Sequence, residues 1–378
     1  MHVAIITTSY PDVVPGSEAA GSFVADFAQQ LGEQVKVTVI AAASAASRSR
    51  DGDVDVIRFA VPRLPVSLLR PLHPSDWLAI AKTLRSGKQT MQQFVHDSSP
   101  SFIFALWALP AGHWAAQAAR QYDIPFAIWA LGSDIWSLGR VPLLRWKLQR
   151  VLRAANHCFA DGFQLAEDVE RLSGRRCRFL ASARVLPQPD DNGTAPAAPY
   201  KLAFLGRWHR NKGADLLLDA LRQLSDRDWS RIAAVRICGG GPLHDDVQHV
   251  VTELQGQHRP VEMGGYLDKQ GAANLIAWAD FLLLPSRIES IPVIFSDAVQ
   301  LRTPIIATPV GDLPVLHDKY NFGILATAAN SEAFAQALRN ALDSDATKYQ
   351  VGLELAAADF ELSGIARRFI AEIRQSGA

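Results

Sequence analysis

Lys201-Leu-Ala-Phe-Leu-Gly-Arg-Trp-His-Arg-Asn-Lys-Gly213 reads as a short apolar strand and a basic loop closed at both ends by glycine, with a helix beginning near Ala214-Asp-Leu-Leu-Leu218. The rhythm continues downstream in Ala234-Val-Arg-Ile-Cys238, Val261-Glu-Met263, Phe281-Leu-Leu-Leu284 and Pro304-Ile-Ile-Ala307. Upstream it appears in Val3-Ala-Ile-Ile6, Val35-Lys-Val-Thr-Val-Ile40, Phe102-Ile-Phe-Ala105 and Pro125-Phe-Ala-Ile-Trp129, with long Ala/Leu/Gln-rich stretches between the runs. Strands alternating with helices predict parallel sheets covered on both faces. The expected fold class is therefore α/β, built as two doubly wound Rossmann-like parallel-sheet domains. Ligands of open α/β sheets sit beyond the carboxyl ends of the strands, so two such domains facing each other would enclose a cleft. Pro187-Gln-Pro-Asp-Asp-Asn-Gly-Thr-Ala-Pro-Ala-Ala-Pro199 is too rich in proline and small polar residues to build a regular element and marks the linker. The expected boundaries are an N-terminal domain over 1–187, a linker over 188–200, a second domain over 201–360, and a helix over 361–378 packing back on the first domain.

With 378 residues, 48% apolar and 20% charged, the composition is that of a folded protein with room for two cores. No apolar run reaches the length needed to span a bilayer, and the start of the chain lacks the basic flank of a secretory signal. Cys158, Cys177 and Cys238 are far apart and have no companion histidine cluster, so neither a disulfide framework nor a metal site is expected. A cytoplasmic location follows, extending to the inner face of the cell membrane. Asn192-Gly-Thr194 matches a glycosylation sequon by chance in that setting. The net charge of zero hides an asymmetry: residues 1–189 hold 20 Lys and Arg against 15 Asp and Glu, residues 190–378 hold 18 against 23. The front half thus favours an anionic partner, while the lack of a basic stripe interleaved with exposed aromatics argues against nucleic acid.

The loop Gly206 to Gly213 lies where Arg207 can fork two donors onto phosphate oxygens and Lys212 can add a point charge. A single Gly-Arg turn is more often a solvated basic turn. Leu284-Pro-Ser-Arg-Ile-Glu289 ends another strand, and Pro292 suits the first turn of a helix running from Val293 to Gln300. Around Ser290, Ile291, Pro292 and Val293 the free amides of that helix start offer hydrogen bonds and a favourable dipole to a diphosphate. Glu289 then suits sugar hydroxyls and Asp297 ribose hydroxyls, although a lone Glu and Asp at this separation are usually surface charges. Two cations and two carboxylates at strand ends are what a nucleotide diphosphate sugar needs, and the expected chemistry is sugar transfer with Arg207, Lys212 and Glu289 at the reacting centre.

These segments resemble the C-terminal half of the GT-B glycosyltransferases, in particular the retaining family 4. The family pattern appears in order as Gly206-Arg207 with Lys212-Gly213, then Gly239-Gly-Gly-Pro242, then Pro285-Ser286 with Glu289 and Asp297, then Thr303-Pro-Ile-Ile-Ala-Thr-Pro-Val-Gly-Asp312. Asp297 stands where the family has a second glutamate. The resemblance places Gly206 and Gly241 at the nucleotide sugar, and Tyr266 of Gly264-Gly-Tyr266 at the border of the base. In the front half, Ser9-Tyr-Pro11, Gly21-Ser-Phe-Val24, Trp107-Ala-Leu-Pro-Ala-Gly112 and Gly132-Ser-Asp134 are similar to the same family more loosely. That likeness implies donor contacts at Gly16 or Gly21 and at Ser133 and Asp134. Relatives carry histidine where this chain has Leu131 and Leu106, which removes a usual sugar contact; His113, beside Trp114, reads as packed.

Arg140, Arg145, Lys147, Arg150 and Arg153 fall within fourteen residues without an acidic side chain and alternate with Leu143, Leu144, Trp146, Leu148, Val151 and Leu152. Such a basic amphipathic helix, with Arg140, Arg145, Trp146, Lys147 and Arg150 foremost, suits a glycan or polyprenyl-linked acceptor or an anionic membrane surface. A solvated helix face explains the pattern equally well. Leu64 to Trp77, with Arg63 and Arg70, is a second docking loop by the same reasoning. Asp51-Gly-Asp53 lies in a polar loop away from the strand ends and reads as a turn.

The resemblance implies a nucleotide-sugar donor, linked to UDP or GDP, and transfer with retention. No metal and no cofactor are expected, because Arg207, Lys212 and the helix amides supply the charge that magnesium supplies elsewhere. An inverting transferase or a sugar-nucleotide epimerase would keep the same nucleotide grip. A non-catalytic binding protein is the third alternative, motivated by Leu106, Leu131 and Asp297.

Overall fold

Val3-Ala-Ile-Ile6 is wholly excluded from solvent, the condition of a central strand in a parallel sheet with helices on both faces. A computed structural model describes residues 1–11, 21–190 and 198–375. Gly16, the Asn192 sequon and most of the linker segment lie outside the described residues. The chain divides into two compact units, Met1–Arg184 with Leu362–Ala378, and Val185–Glu361.

The first unit contains β1 His2–Thr7, β2 Lys36–Ala43, β3 Ser47–Asp51, β4 Val54–Ala60, β5 Phe102–Leu106, β6 Phe126–Ala130, β7 His157–Ala160 and β8 Cys177–Phe179, in the order β3-β4-β2-β1-β5-β6-β7-β8. The pairs are parallel except β3 with β4. Ser47 to Arg50 are all exposed, so β3 is a polar edge strand of the kind that discourages further pairing. The turn at Asp51-Gly-Asp53 closes this hairpin. Asp51 accepts hydrogen bonds from the Tyr10 hydroxyl at 2.9 Å and the Gln29 amide at 3.0 Å, while Asp53 pairs with Arg50.

Alternation along β5 shows how the sheet is covered. Ile103 and Ala105 join a core with Trp114 and Ile128. Phe104 points to the other face, as strand geometry requires. There it stacks on Trp129, with ring centroids 5.9 Å apart. The last helix, Leu362–Arg374, closes this second face. Its buried residues Leu362, Ile365, Ala366, Phe369, Ile370 and Ile373 recur at the three- and four-residue spacing of one helical stripe. Phe369 lies 4.3 Å from the Phe104 ring, 5.5 Å from Phe159 and 5.6 Å from Phe27, and Glu372 pairs with Arg178 at 3.1 Å.

The second unit is fully parallel: β9 Tyr200–Arg207, β10 Ile232–Gly240, β11 Val261–Gly264, β12 Phe281–Leu284, β13 Ile305–Ala307 and β14 Gly323–Leu325, in the order β11-β10-β9-β12-β13-β14. Phe295, on the helix Val293–Gln300, anchors its core against Phe322 at 5.0 Å and Phe360 at 5.3 Å. Among the described residues, no helix is long and apolar enough to cross a membrane.

Because Phe369 fills a pocket among four aromatic rings, those of Phe27, Phe102, Phe104 and Phe159, Phe369→Ala is expected to cost about 3–5 kcal/mol of stability by leaving a cavity. Urea unfolding followed by circular dichroism checks this, with the parent and Arg374→Ala as references.

Candidate active site

In the second unit the strand order reverses direction at β9: β10 and β11 lie to one side, β12 to β14 to the other. The loops leaving the carboxyl ends of β9 and β12 therefore meet at a topological switch point, the usual ligand position in such sheets. The first loop is shaped by His209, whose Nδ1 accepts from the Asn211 amide at 3.1 Å and caps the turn Arg210–Lys212. Gly213 follows with φ of +70°, and a Cβ there would stand 1.8 Å from the Pro285 carbonyl oxygen. Only glycine lets the two loops approach this closely.

Arg287 stitches the loops together, donating from its amide to the Asn211 carbonyl at 2.8 Å and from its guanidinium to the Arg210 carbonyl at 2.8 Å and Asp215 at 2.6 Å. Lys212 Nζ then donates to Glu289 Oε1 at 2.5 Å, and the Ser286 hydroxyl donates to the same oxygen at 2.9 Å. The buried Thr308 hydroxyl donates to the Ser286 carbonyl at 2.5 Å and fixes the loop from beneath. The structure thus brings Lys212 and Glu289 together. Arg207, at the exposed end of β9, has no ion pair or side-chain hydrogen bond among the described residues.

Trp208 forms the floor. It is buried, its amide donates to the Gly240 carbonyl at 2.9 Å, and its carbonyl accepts from the Leu243 amide at 3.1 Å. Gly241, with φ of +151°, would place a Cβ 2.7 Å from the Trp208 carbonyl oxygen. The Trp208 indole N–H has no partner among the described residues, which leaves it as a donor for a water or a ligand. Neither Trp208 nor Thr308 stood out in the sequence; an aromatic residue inside a basic loop was the available signal for the first. Tyr266 lies on the backbone of Gly240, donating to its carbonyl at 2.9 Å, and leaves 62% of its surface exposed.

The helix Val293–Gln300 starts after Pro292 without a side-chain cap, which leaves its first amides for water or a ligand. Ser290, Ile291 and Pro292 are buried, and Ser290 Oγ has no partner among the described residues. Val293 is half-buried. Asp297 is wholly enclosed, with no solvent-facing oxygen.

In the first unit, Gly21 caps the helix Ser22–Gly32 and Ser133 is exposed. Asp134 faces inward. Its carboxylate accepts from the Ala108 amide at 2.6 Å and the Leu131 amide at 3.3 Å, so it braces the loops after β5 and β6 rather than presenting charge outward. The brace adjoins Trp107, whose φ of +69° is costly for a bulky residue. Burial outweighs the backbone hydrogen bonds and raises the Asp134 pKa to about 6. Arg140, Arg145 and Arg150 are exposed and Lys147 is half-buried; Arg150 lies over the Trp146 ring, 4.7 Å from its centroid. The loop Leu64 to Trp77 carries no free cation pair, because Arg63 and Arg70 both pair with the buried Asp76 at 3.4 and 3.7 Å. Among the described residues, no cluster of three or more His, Cys, Asp or Glu is placed to hold a metal ion.

Residues 199–344 match the sequence model of the family described as Glycosyl transferases group 1. Over 158 residues the chain is 35% identical to a D-inositol 3-phosphate glycosyltransferase of Corynebacterium glutamicum, covering 40% of this chain and 37% of that protein. The chain thus spans little more than a third of that relative's length. It is 26% identical over 268 residues to a Bacillus subtilis protein provisionally named as the teichuronic acid biosynthesis glycosyltransferase TuaC, covering 66% of this chain and 63% of the relative. Among solved structures, sucrose-phosphate synthase from Thermosynechococcus elongatus superposes with a TM-score of 0.75 at 16% identity, over 99% of this chain and 98% of that one. Anabaena Alr3699/HepE, solved with UDP and glucose, superposes with a TM-score of 0.71 at 16% identity, over 99% and 100%. The fold is GT-B.

Gly213→Ala is expected to force the two loops apart and to lower the unfolding midpoint more than Gly256→Ala, where a Cβ meets nothing within 4 Å; thermal unfolding of the two variants decides it. For Asp134 the folded pKa of about 6 lies above the ordinary carboxylate value of 3.8. The protonated form therefore contributes stability that is complete below pH 4 and lost as pH rises through 6, by roughly 3 kcal/mol. Asp134→Asn should flatten that segment of the stability–pH profile measured by chemical denaturation.

Proposed function

We propose, on the premise that the second unit is a group 1 glycosyl transferase domain, that this chain moves a sugar from a nucleotide diphosphate sugar to an acceptor hydroxyl. The observation that carries this reading is the Lys212–Glu289 pair at the β9–β12 switch point, with the unpaired Arg207 on the same loop. As the glycosidic bond to the leaving group breaks, negative charge grows on the β-phosphate. Fixed cations aimed at that oxygen lower the barrier, and removing one such donor typically costs about 3 kcal/mol. Arg207 and Lys212 have the charge for this role. Glu289 keeps the Lys212 ammonium in place and can accept hydrogen bonds from sugar hydroxyls.

The free amides at the start of Val293–Gln300, with Ser290 beside them, suit the diphosphate. The exposed Tyr266 ring suits the edge of the base. UDP is the favoured nucleotide, since HepE, a structure of the same fold, was solved with UDP and glucose and with UDP-glucose. Transfer with retention is the family expectation. No metal is needed in this scheme, because the cations and amides supply the positive field. The acceptor is a glycan or lipid-linked glycan of surface polysaccharide or glycolipid synthesis, as the name of the Bacillus subtilis relative suggests. The exposed Arg140, Arg145 and Trp146 suit its approach from an anionic membrane face.

Calorimetry with UDP, GDP and ADP, together with turnover of the matching nucleotide sugars, tests the reading. One nucleotide should bind, and Arg207→Ala and Lys212→Ala should each reduce turnover by about a hundredfold. A folded parent that binds none of the three nucleotides would sink the proposal and leave a non-catalytic binding protein.

A further inference from the structure

Within the first unit, a groove of about 530 Å³ runs between the helices Ala111–Tyr122 and Pro142–Ala154. One wall is formed by His113, Ala116, Gln117 and Arg120, which recur at three- and four-residue spacing on the first helix. The other is formed by Trp146, Lys147 and Arg150 on the second. Small residues open the space, since Ala116 and Ala119 on one helix and Ala154 on the other do not fill it. Phe126 and Asn156 close one end, at the amino ends of β6 and β7. The groove therefore extends to the end of the sheet opposite the loops that follow the strands.

Its chemistry is one-sided. Arg120, Lys147 and Arg150 line it, no carboxylate does, and none of the three makes an ion pair among the described residues. Cations gathered without a counter-charge repel one another, and an anion relieves the repulsion. Arg150 lies over the Trp146 ring, which holds the indole as a wall while leaving 53% of the residue exposed. The buried Gln117 amide oxygen has no hydrogen-bond partner among the described residues. Burial and the nearby Lys147 and Lys88 lower the His113 pKa to about 4, so at neutral pH its ring is uncharged and offers one donor and one acceptor.

We propose that this groove is a binding site for the phosphate or diphosphate of a hydroxyl-bearing ligand, with the anion on Arg120, Lys147 and Arg150, a hydroxyl on Gln117, and the remainder against Trp146. A volume of this size accommodates a ligand rather than a few waters. The site goes beyond the transfer reaction and stands on the groove's own charge and shape. A soluble phosphorylated compound and a phospholipid headgroup share this chemistry.

The test uses the full chain carrying Arg207→Ala and Lys212→Ala, so that the proposed donor loop contributes nothing and failure here is separate from failure there. One arm titrates inorganic pyrophosphate by calorimetry; the other measures co-sedimentation with phosphatidylcholine vesicles with and without phosphatidylglycerol. Lys147→Glu, Arg120→Glu and Arg150→Glu should each weaken binding in one arm by about tenfold or more. Lys82→Glu, an exposed cation on the helix Trp77–Ser98 that does not line the groove, should have a much smaller effect. Loss in the pyrophosphate arm identifies a soluble ligand, and loss in the vesicle arm alone identifies a headgroup; either supports the site. Absence of binding in both arms overturns it, as does equal weakening by Lys82→Glu or insensitivity to the groove variants. Circular dichroism of every variant confirms that the fold is retained.

Discussion

The close approach of two loops at the β9–β12 switch point is the constraint on which the second unit's site depends. A Cβ at position 213 would stand inside the Pro285 carbonyl, so the loops meet only because that side chain is absent. Once they meet, Arg287 bonds across to the Arg210 and Asn211 carbonyls and Lys212 reaches Glu289. Glu289 is nearly enclosed, while Lys212 keeps 39% of its side chain exposed. A pair in that half-wet position contributes little net stability, because desolvation offsets much of the attraction. Its effect is positional: it holds an ammonium group at the end of a strand, where a phosphate would lie.

The first unit uses its charged residues differently. Asp134 is spent inward, bracing the loops after β5 and β6 next to the strained Trp107. Asp76 likewise ties Arg63 and Arg70 to the loop that carries them. Arg120, Lys147 and Arg150, on the helices Ala111–Tyr122 and Pro142–Ala154, make no ion pair among the described residues and line one groove. The unit is also built from both ends of the chain, since its second aromatic face is closed by Phe369. Its stability therefore depends on residues more than two hundred positions from the strands they cover.

The separation between local and distant determinants explains what could be read in advance. Strand and helix alternation, the glycine-bounded basic loop, Glu289 and the start of the helix at Val293 were legible in the sequence, because each depends on hydrophobic periodicity or turn chemistry within a few residues. The β3–β4 hairpin was not legible as strands, since Ser47 to Arg50 are polar and exposed and carry no apolar run. β7, β8 and β14 each mix His157, Arg178 or Gly323 into three or four positions, so, unlike the equally short β12 and β13, they offer no continuous apolar run. The inward turn of Asp134 and the enclosure of Asp297 were invisible for a related reason: the same residue type serves as a ligand or as a brace, depending on which backbone amides the fold brings to it.

Thus the sequence by itself determined the two-sheet α/β architecture and the chemical inventory of the loops. The tertiary structure alone decided the strand order that sets β9 beside β12, the meeting of Lys212 with Glu289 across 77 positions, and the groove between two helices with an uncompensated set of cations. Periodicity and capping act over one or two turns of chain, whereas these pairings form only when segments far apart in sequence are packed against the same sheet.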